Sequence, residues 1–171
     1  MLIKARLTSF SLPLVRPVQT GKGTLHDRQG VLVELEDSDH LTGYGEATPI
    51  YGFHMESLRQ ACDALGRFLP ALLQKKNWSI EEILERFQSD FPAAPSALSA
   101  IDTALCDLAA KQQGCSVATF LARKFQTRVS NPVRVNALVH SQDIEKIARE
   151  AEDRYSEGFR TFKIKVGVQS T

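Results

Sequence analysis

What limits the fold of this chain most is a change of period along its length. In residues 2–12, Ile3, Ala5 and Leu7 fall on one side of a two-residue repeat, and the repeat returns in "VLVELED" and "LTGYGEAT". Pro13 and Pro17 are expected to break the first strand. The glycine-containing "QTGKGTLHDRQG" then reads as a flexible loop, and Ser38 to His40 as a short polar turn. Together these segments predict an antiparallel three-strand meander.

Helical spacing takes over after residue 55. Met55, Leu58, Cys62, Leu65 and Leu69 form one stripe, with Pro70 expected to kink or end the helix. Ser79 and Glu82 have capping-box spacing ahead of Ile80, Ile83, Leu84 and Phe87. Leu98, Ile101, Leu105 and Leu108 mark a third helix ending at Gly114, and Ser116 caps a shorter fourth through Phe125. Strands first and helices second is the pattern of an α+β domain, expected over residues 1–130.

A second rhythm begins at residue 131. "VRVNALV" reads as a strand. Residues 141–158 read as an amphipathic helix with Ile144, Ile147, Ala148, Ala151 and Tyr155 inward, and "TFKIKVG" as another strand. A strand, a crossover helix and a strand predict a parallel pair, and parallel sheets are usually covered on both faces. In the last strand Phe162, Ile164 and Val166 point one way, and Thr161, Lys163 and Lys165 the other. Spacing alone leaves two readings of that second face open, a solvated surface and a chemical one.

Composition narrows the function. The 171 residues are 43% apolar and 24% charged, the balance of a chain with a real core. A formal charge of +1, with both signs interspersed, points away from nucleic acid and from polybasic membrane binding, and towards a small-molecule partner. The start carries Lys4 and Arg6 in place of a signal-peptide apolar run, and no stretch has the length of a membrane span, so a cytoplasmic protein is expected. Cys62, Cys106 and Cys115 lack metal-ligand spacing and read as reduced core thiols. His26, His40, His54 and His140 are scattered singly. Asp102 and Asp107 point apart on their helix, so they make no carboxylate dyad. "QTGKGT" lacks the spacing of a phosphate loop.

Three stretches in order, "GYGEATPIYGF", "SALSAIDTALCDLAAKQQGCSV" and "GFRTFKIKVG", resemble the muconate-lactonizing subgroup of the enolase superfamily over nearly the whole chain. Within it, "PVQTGKGTLHDRQGVLVEL" followed by "VNALV" is most similar to the o-succinylbenzoate synthases of menaquinone biosynthesis. The resemblance implies an enolase-like capping domain over 1–130 and, over 131–171, the first strands of a truncated TIM-type barrel, with the active site at the strands' C-terminal ends beneath the cap. It further implies a Mg²⁺-dependent lyase that removes a proton alpha to a carboxylate. Lys165 would be the base, and Lys163, roughly 7 Å along the strand, would lower its pKa. The loops 19–28 and 49–54 would contact the substrate, with Thr20, Gly21, Arg28, Tyr51, Phe53 and His54 as candidate residues.

The resemblance also implies metal ligands beyond Thr171, and none in this chain, which by itself is therefore expected to be inactive. Dipeptide epimerases, N-acylamino acid racemases and cycloisomerases of the same superfamily fit the motifs nearly as well. A non-catalytic binding module built on the cap alone is the reading from another class. The two lysines at a barrel-like position count against it.

Overall fold

The computed structural model describes residues 1–20, 23–50, 56–74, 79–130, 132–139, 141 and 143–164. The chain divides into two compact units, Met1–Val129 and Ser130–Thr171.

In the first unit, β1 (Leu2–Thr20), β2 (Gly23–Asp37) and β3 (Thr42–Ala47) form an antiparallel meander in that order. Alternation sorts the two faces. Val31, Val33, Leu35 and Asp37 of β2 are buried, while Leu32, Glu34 and Glu36 are half-buried on the other side. The register sets Leu7 and Gly45 on either side of Val33, and Ala5 and Gly43 on either side of Leu35. Across the outer face, Lys4 pairs with Glu36 and Arg6 with Glu34, exposed ion pairs that contribute little stability.

Against the inner face lie α1 (Leu58–Gln74) and α3 (Pro95–Gln112), while α2 (Ile80–Asp90) and α4 (Val117–Lys124) pack on α3. α2 begins with a complete capping box, in which Ser79 Oγ accepts the Glu82 N–H and the Glu82 carboxylate accepts that of Ser79. α3 presents a stripe of small residues, Ala97, Ala100 and Ala104, all fully buried. It rests directly on β3. A Cβ added at Gly45 would stand 1.9 Å from the Ala100 carbonyl oxygen, and one at Gly43 would stand 2.1 Å from that of Ala104. Only glycine lets strand and helix backbones approach this far. Around α3 the core closes with Phe68 and Phe87, edge to face at 4.9 Å between ring centroids.

Three expectations for this unit are corrected. β1 does not stop at Pro13 but continues to Thr20, with a register shift between Pro13 and Val18. It is an edge strand, where a missing N–H leaves no partner unsatisfied. The loop expected from 19 to 28 is mostly hairpin: β2 already pairs with β1 at Gly23. α1 runs through Pro70 to Gln74. Gly66 and Pro70 are both exposed, so the carbonyl that proline frees one turn back can turn to solvent.

Asp37 closes the turn between β2 and β3. It is 1% exposed, and its Oδ1 accepts the N–H groups of Asp39 and Leu41 at 2.9 and 3.0 Å. Its Oδ2 accepts Gln112 Nε2 of α3 at 2.7 Å. Burial pushes the Asp37 pKa up, but the bonds from Gln112, Leu41 and Asp39 outweigh it and hold the carboxyl below its ordinary value.

In the second unit, β4 (Ala137–Val139) and β5 (Phe162–Ile164) form a parallel pair joined by α5 (Ile144–Ser156), which Asp143 caps. β4 is shorter than the run from Val133 to Val139 suggests, and β5 is described as far as Ile164. α5 also departs from expectation, because none of its residues is buried: Ile144 is 79% exposed and Tyr155 57%. Amphipathic spacing specifies a face that can be covered, and among the described residues of this unit α5 packs mainly against the three-residue β4.

Two outcomes follow from this packing. Gly45→Ala should destabilise the chain by roughly 1–3 kcal/mol through overpacking, whereas Gly66→Ala, with nothing within 4 Å of the added Cβ, should stabilise it by about 0.5–1 kcal/mol; urea midpoints measure both. Asp37→Asn should also destabilise, and with a defined pH dependence. The folded pKa is depressed, so the carboxylate's contribution is complete above its unfolded pKa of about 3.9 and is lost as pH falls through the folded value. The gap in midpoint between wild type and Asp37→Asn should therefore be widest near neutrality and narrow in acid.

Candidate functional site

The sequence-predicted site residues fall on two parts of the molecule. Gly21, Tyr51, Phe53, His54 and Lys165 lie outside the described residues. Thr20 ends β1, and its hydroxyl donates to the Gly23 carbonyl across the hairpin at 2.6 Å. Arg28 sits on β2 opposite Leu12. Its Nη2 donates to the Thr48 carbonyl at 2.8 Å, which fastens the hairpin to the segment leaving β3.

The rest of this end of the sheet is also polar and cross-linked. Asp27 Oδ2 accepts from Ser11 Oγ at 3.0 Å and from Gln29 Nε2 at 2.8 Å, and these two bonds, that of Gln29 first, hold its carboxyl below the ordinary value. Thr48 Oγ1 donates to Glu46 Oε1 at 3.0 Å. Gly30 sits beneath Thr48 and Phe10, where a Cβ would come within 2.3 Å of the Thr48 methyl. Close packing thus fixes Thr48 from below while Arg28 holds it from the side.

One residue that sequence reasoning missed is Glu56, 4% exposed, just ahead of α1. Its Oε1 accepts the backbone N–H of Ser96 in the first turn of α3, and its Oε2 has no hydrogen-bond partner among the described residues. A single acid between Met55 and Ser57 carries no periodic signal, and its partner is 40 residues away.

In the second unit Lys163 occupies the middle of β5, opposite Leu138. Aligned residues of a parallel pair share a face. Ala137 and Val139, 5% and 1% exposed, therefore share theirs with Phe162 and Ile164, and the exposed Lys163 stands with the half-buried Leu138 on the other.

Several other candidates have structural partners. Asp107 accepts the Tyr44 N–H and Lys111 Nζ, 2.9 and 2.7 Å away, while Asp102 accepts the Cys106 thiol. Burial, then the Asp102 charge, pushes Cys106 up to about 11, so it is no nucleophile. His40 pairs with Glu36 at 2.8 Å, His26 is exposed, and His140 lies outside the described residues. Among the described residues no group of three or more His, Cys, Asp or Glu could hold a metal ion, so they do not furnish a Mg²⁺ site. None of the described helices is long and apolar enough to cross a membrane.

Comparison with known proteins gives this geometry its context. Residues 3–122 match the family model of the mandelate racemase / muconate lactonizing enzyme N-terminal domain. The L-Ala-D/L-Glu epimerase of Bacillus subtilis (strain 168) is 30% identical over 169 residues, which are 97% of this chain and 44% of that protein. The o-succinylbenzoate synthase of Listeria innocua is 30% identical over 166 residues, 95% of this chain and 43% of that protein. Among solved structures, a substrate-liganded complex of the Bacillus subtilis epimerase superposes with a TM-score of 0.85 at 27% identity, covering 99% of this chain and 46% of that one. The chain thus spans under half the length of these relatives. It belongs to the mandelate racemase / muconate lactonizing enzyme family of the enolase superfamily, and residues 3–122 are its N-terminal domain.

Proposed function

We propose that the full-length protein carrying this sequence removes the proton alpha to a carboxylate of a small substrate, with Lys165 as the base and Lys163 as its neighbouring cation. The observation that carries this reading is the β4–α5–β5 unit, a parallel pair in which Lys163 stands on the face away from the buried Ala137 and Val139. The period-two repeat of the strand would carry Lys165 to the same face.

A free lysine is protonated near neutrality and cannot accept a proton. The ammonium of Lys163 disfavours a second positive charge close by, and exclusion of water does the same, so both lower the pKa of Lys165. Family membership supports a Mg²⁺ that would stabilise the developing negative charge. The described residues offer no ligand cluster for one, and the part of the chemistry that falls to this chain is the proton transfer by its lysines. Thr20, Gly21, Arg28, Tyr51, Phe53 and His54 would contact the part of the substrate remote from the reacting carbon, where they discriminate among substrates.

Two overall reactions begin with this step. In epimerisation a proton returns to the same carbon from the opposite side, and the Bacillus subtilis relative supports that outcome for a dipeptide. In syn-dehydration of a hydroxycyclohexadiene carboxylate bearing a succinyl group, Lys165 returns its proton to the departing hydroxide, so that water leaves and the ring becomes aromatic. The Listeria innocua relative, at the same identity, supports that outcome and a place in menaquinone biosynthesis. Full-length protein assayed with a dipeptide panel by chiral chromatography, and with the cyclohexadiene by the rise of aromatic absorbance, separates the two.

Lys165→Ala in the full-length protein should lower turnover by about 10²- to 10⁴-fold with folding intact. Full activity in that variant would end the mechanism. Lys163→Ala should be milder and move the acidic limb of the pH–rate profile to higher pH, because removing a like charge raises the pKa of Lys165 and its neutral form then requires more alkaline solution. An unmoved limb with normal rates would make Lys163 structural.

A further inference from the structure

β3 ends its sheet. β2 pairs with it on one side, and among the described residues no strand lies along the other. Alternate residues of such a strand turn both backbone groups away from the neighbouring strand, and an open row of these groups is a template for a further strand. On β3 the row is taken up by α3. Asp107 Oδ2 accepts the Tyr44 N–H at 2.9 Å, and Lys111 Nζ donates to the Thr42 carbonyl at 2.7 Å. The two side chains, one turn apart on the helix, also join each other at 2.7 Å.

Lys111 obstructs the edge as well as bonding to it. α3 lies on the inner face, against Gly43 and Gly45, and alternation puts the Tyr44 ring on the outer face. The Lys111 ammonium stands 4.8 Å from the centre of that ring. Its side chain therefore passes around the edge, through the space that a paired strand would occupy roughly 5 Å from β3. Holding a lysine in one geometry costs side-chain entropy, and a partly exposed ion pair returns little of it. Stability is thus a weak reason for the arrangement. The opposite edge of the sheet, β1, is interrupted in another way, by register shifts between Leu2 and Lys4 and between Pro13 and Val18 and by Pro13 and Pro17.

We propose that Asp107 and Lys111 close the β3 edge to a second copy of this chain. The partner kept out is a copy because an edge laid antiparallel against itself about a two-fold axis matches its own N–H and C=O groups. The inference does not depend on the reaction proposed above.

The test uses the full-length protein. Asp107→Ala/Lys111→Ala uncovers the Tyr44 N–H and the Thr42 carbonyl and, by removing one charge of each sign, leaves the net charge unchanged. Asp107→Asn/Lys111→Arg keeps an acceptor and a donor in place. Light scattering after size exclusion should show the alanine variant rising with concentration to about twice the wild-type mass or more, and the conservative variant keeping the wild-type mass. Hydrogen exchange over residues 42–47 locates the contact: in the alanine variant it should be faster than in wild type in dilute solution and slow as copies associate. A folded alanine variant of wild-type mass at every concentration overturns the proposal. Association without slower exchange over 42–47, or equal association of the conservative variant, overturns it too. If the double variant does not fold, Lys111→Ala alone, which clears the edge while Asp107 still holds Tyr44, decides by the same two measurements.

Discussion

The contact on which the first unit depends is made by backbone. α3 lies on β3 where Gly43 and Gly45 have no Cβ, and it meets them with the alanine stripe of residues 97, 100 and 104. Such close approach gathers many small dispersion contacts and admits no slack, so the position of α3 relative to the sheet is narrowly fixed. The two buried charged residues among those described sit at its opposite ends. Asp37 takes the Gln112 side chain at the C-terminal end, and Glu56 takes the Ser96 amide at the N-terminal end. α3 therefore serves as the rigid member to which both the β2–β3 turn and the start of α1 are referred.

The sheet's inner face, fixed in this way, determines what its free end can do. β1 and β2 continue past β3 as a two-stranded ladder from the Phe10–Gly30 pair to the Thr20–Gly23 pair, and the bond from Arg28 to Thr48 ties it to the segment leaving the third strand. Close packing at Gly30 and the Arg28 bond thus hold Thr48 at the point where β3 leaves the sheet.

Much of the first unit is legible in the sequence because periodicity and capping are local properties. The alternation of Val31, Val33 and Leu35, the Ser79–Glu82 capping box and the positive-φ Gly114 after α3 all occur where the sequence places them. The departures have specific causes. Pro13, Pro17 and Pro70 look like breaks in the sequence, but a proline breaks an element only where its missing N–H is needed, and exposure at an edge strand or on a helix's outer side is a tertiary fact. The glycines at 21 and 23 suggest a loop although the hairpin pairs up to Gly23. At the candidate site, the alternation that sets Lys163 on the face away from Phe162 and Ile164 is local and legible, whereas its pairing with Leu138 is not. The bonds from Arg28 to Thr48 and from Glu56 to Ser96 join residues 20 and 40 apart, and no pattern of types announces them.

The central claim is abstraction of a proton alpha to a carboxylate. It is tested most directly by incubating the full-length protein in D₂O with candidate carboxylates and following the alpha proton by NMR. The account predicts that the alpha-proton signal of an accepted substrate disappears: deuterium enters at that carbon if the protein epimerises, or the carbon becomes part of an aromatic ring if it dehydrates. Turnover of a carboxylate substrate with its alpha proton retained would contradict it.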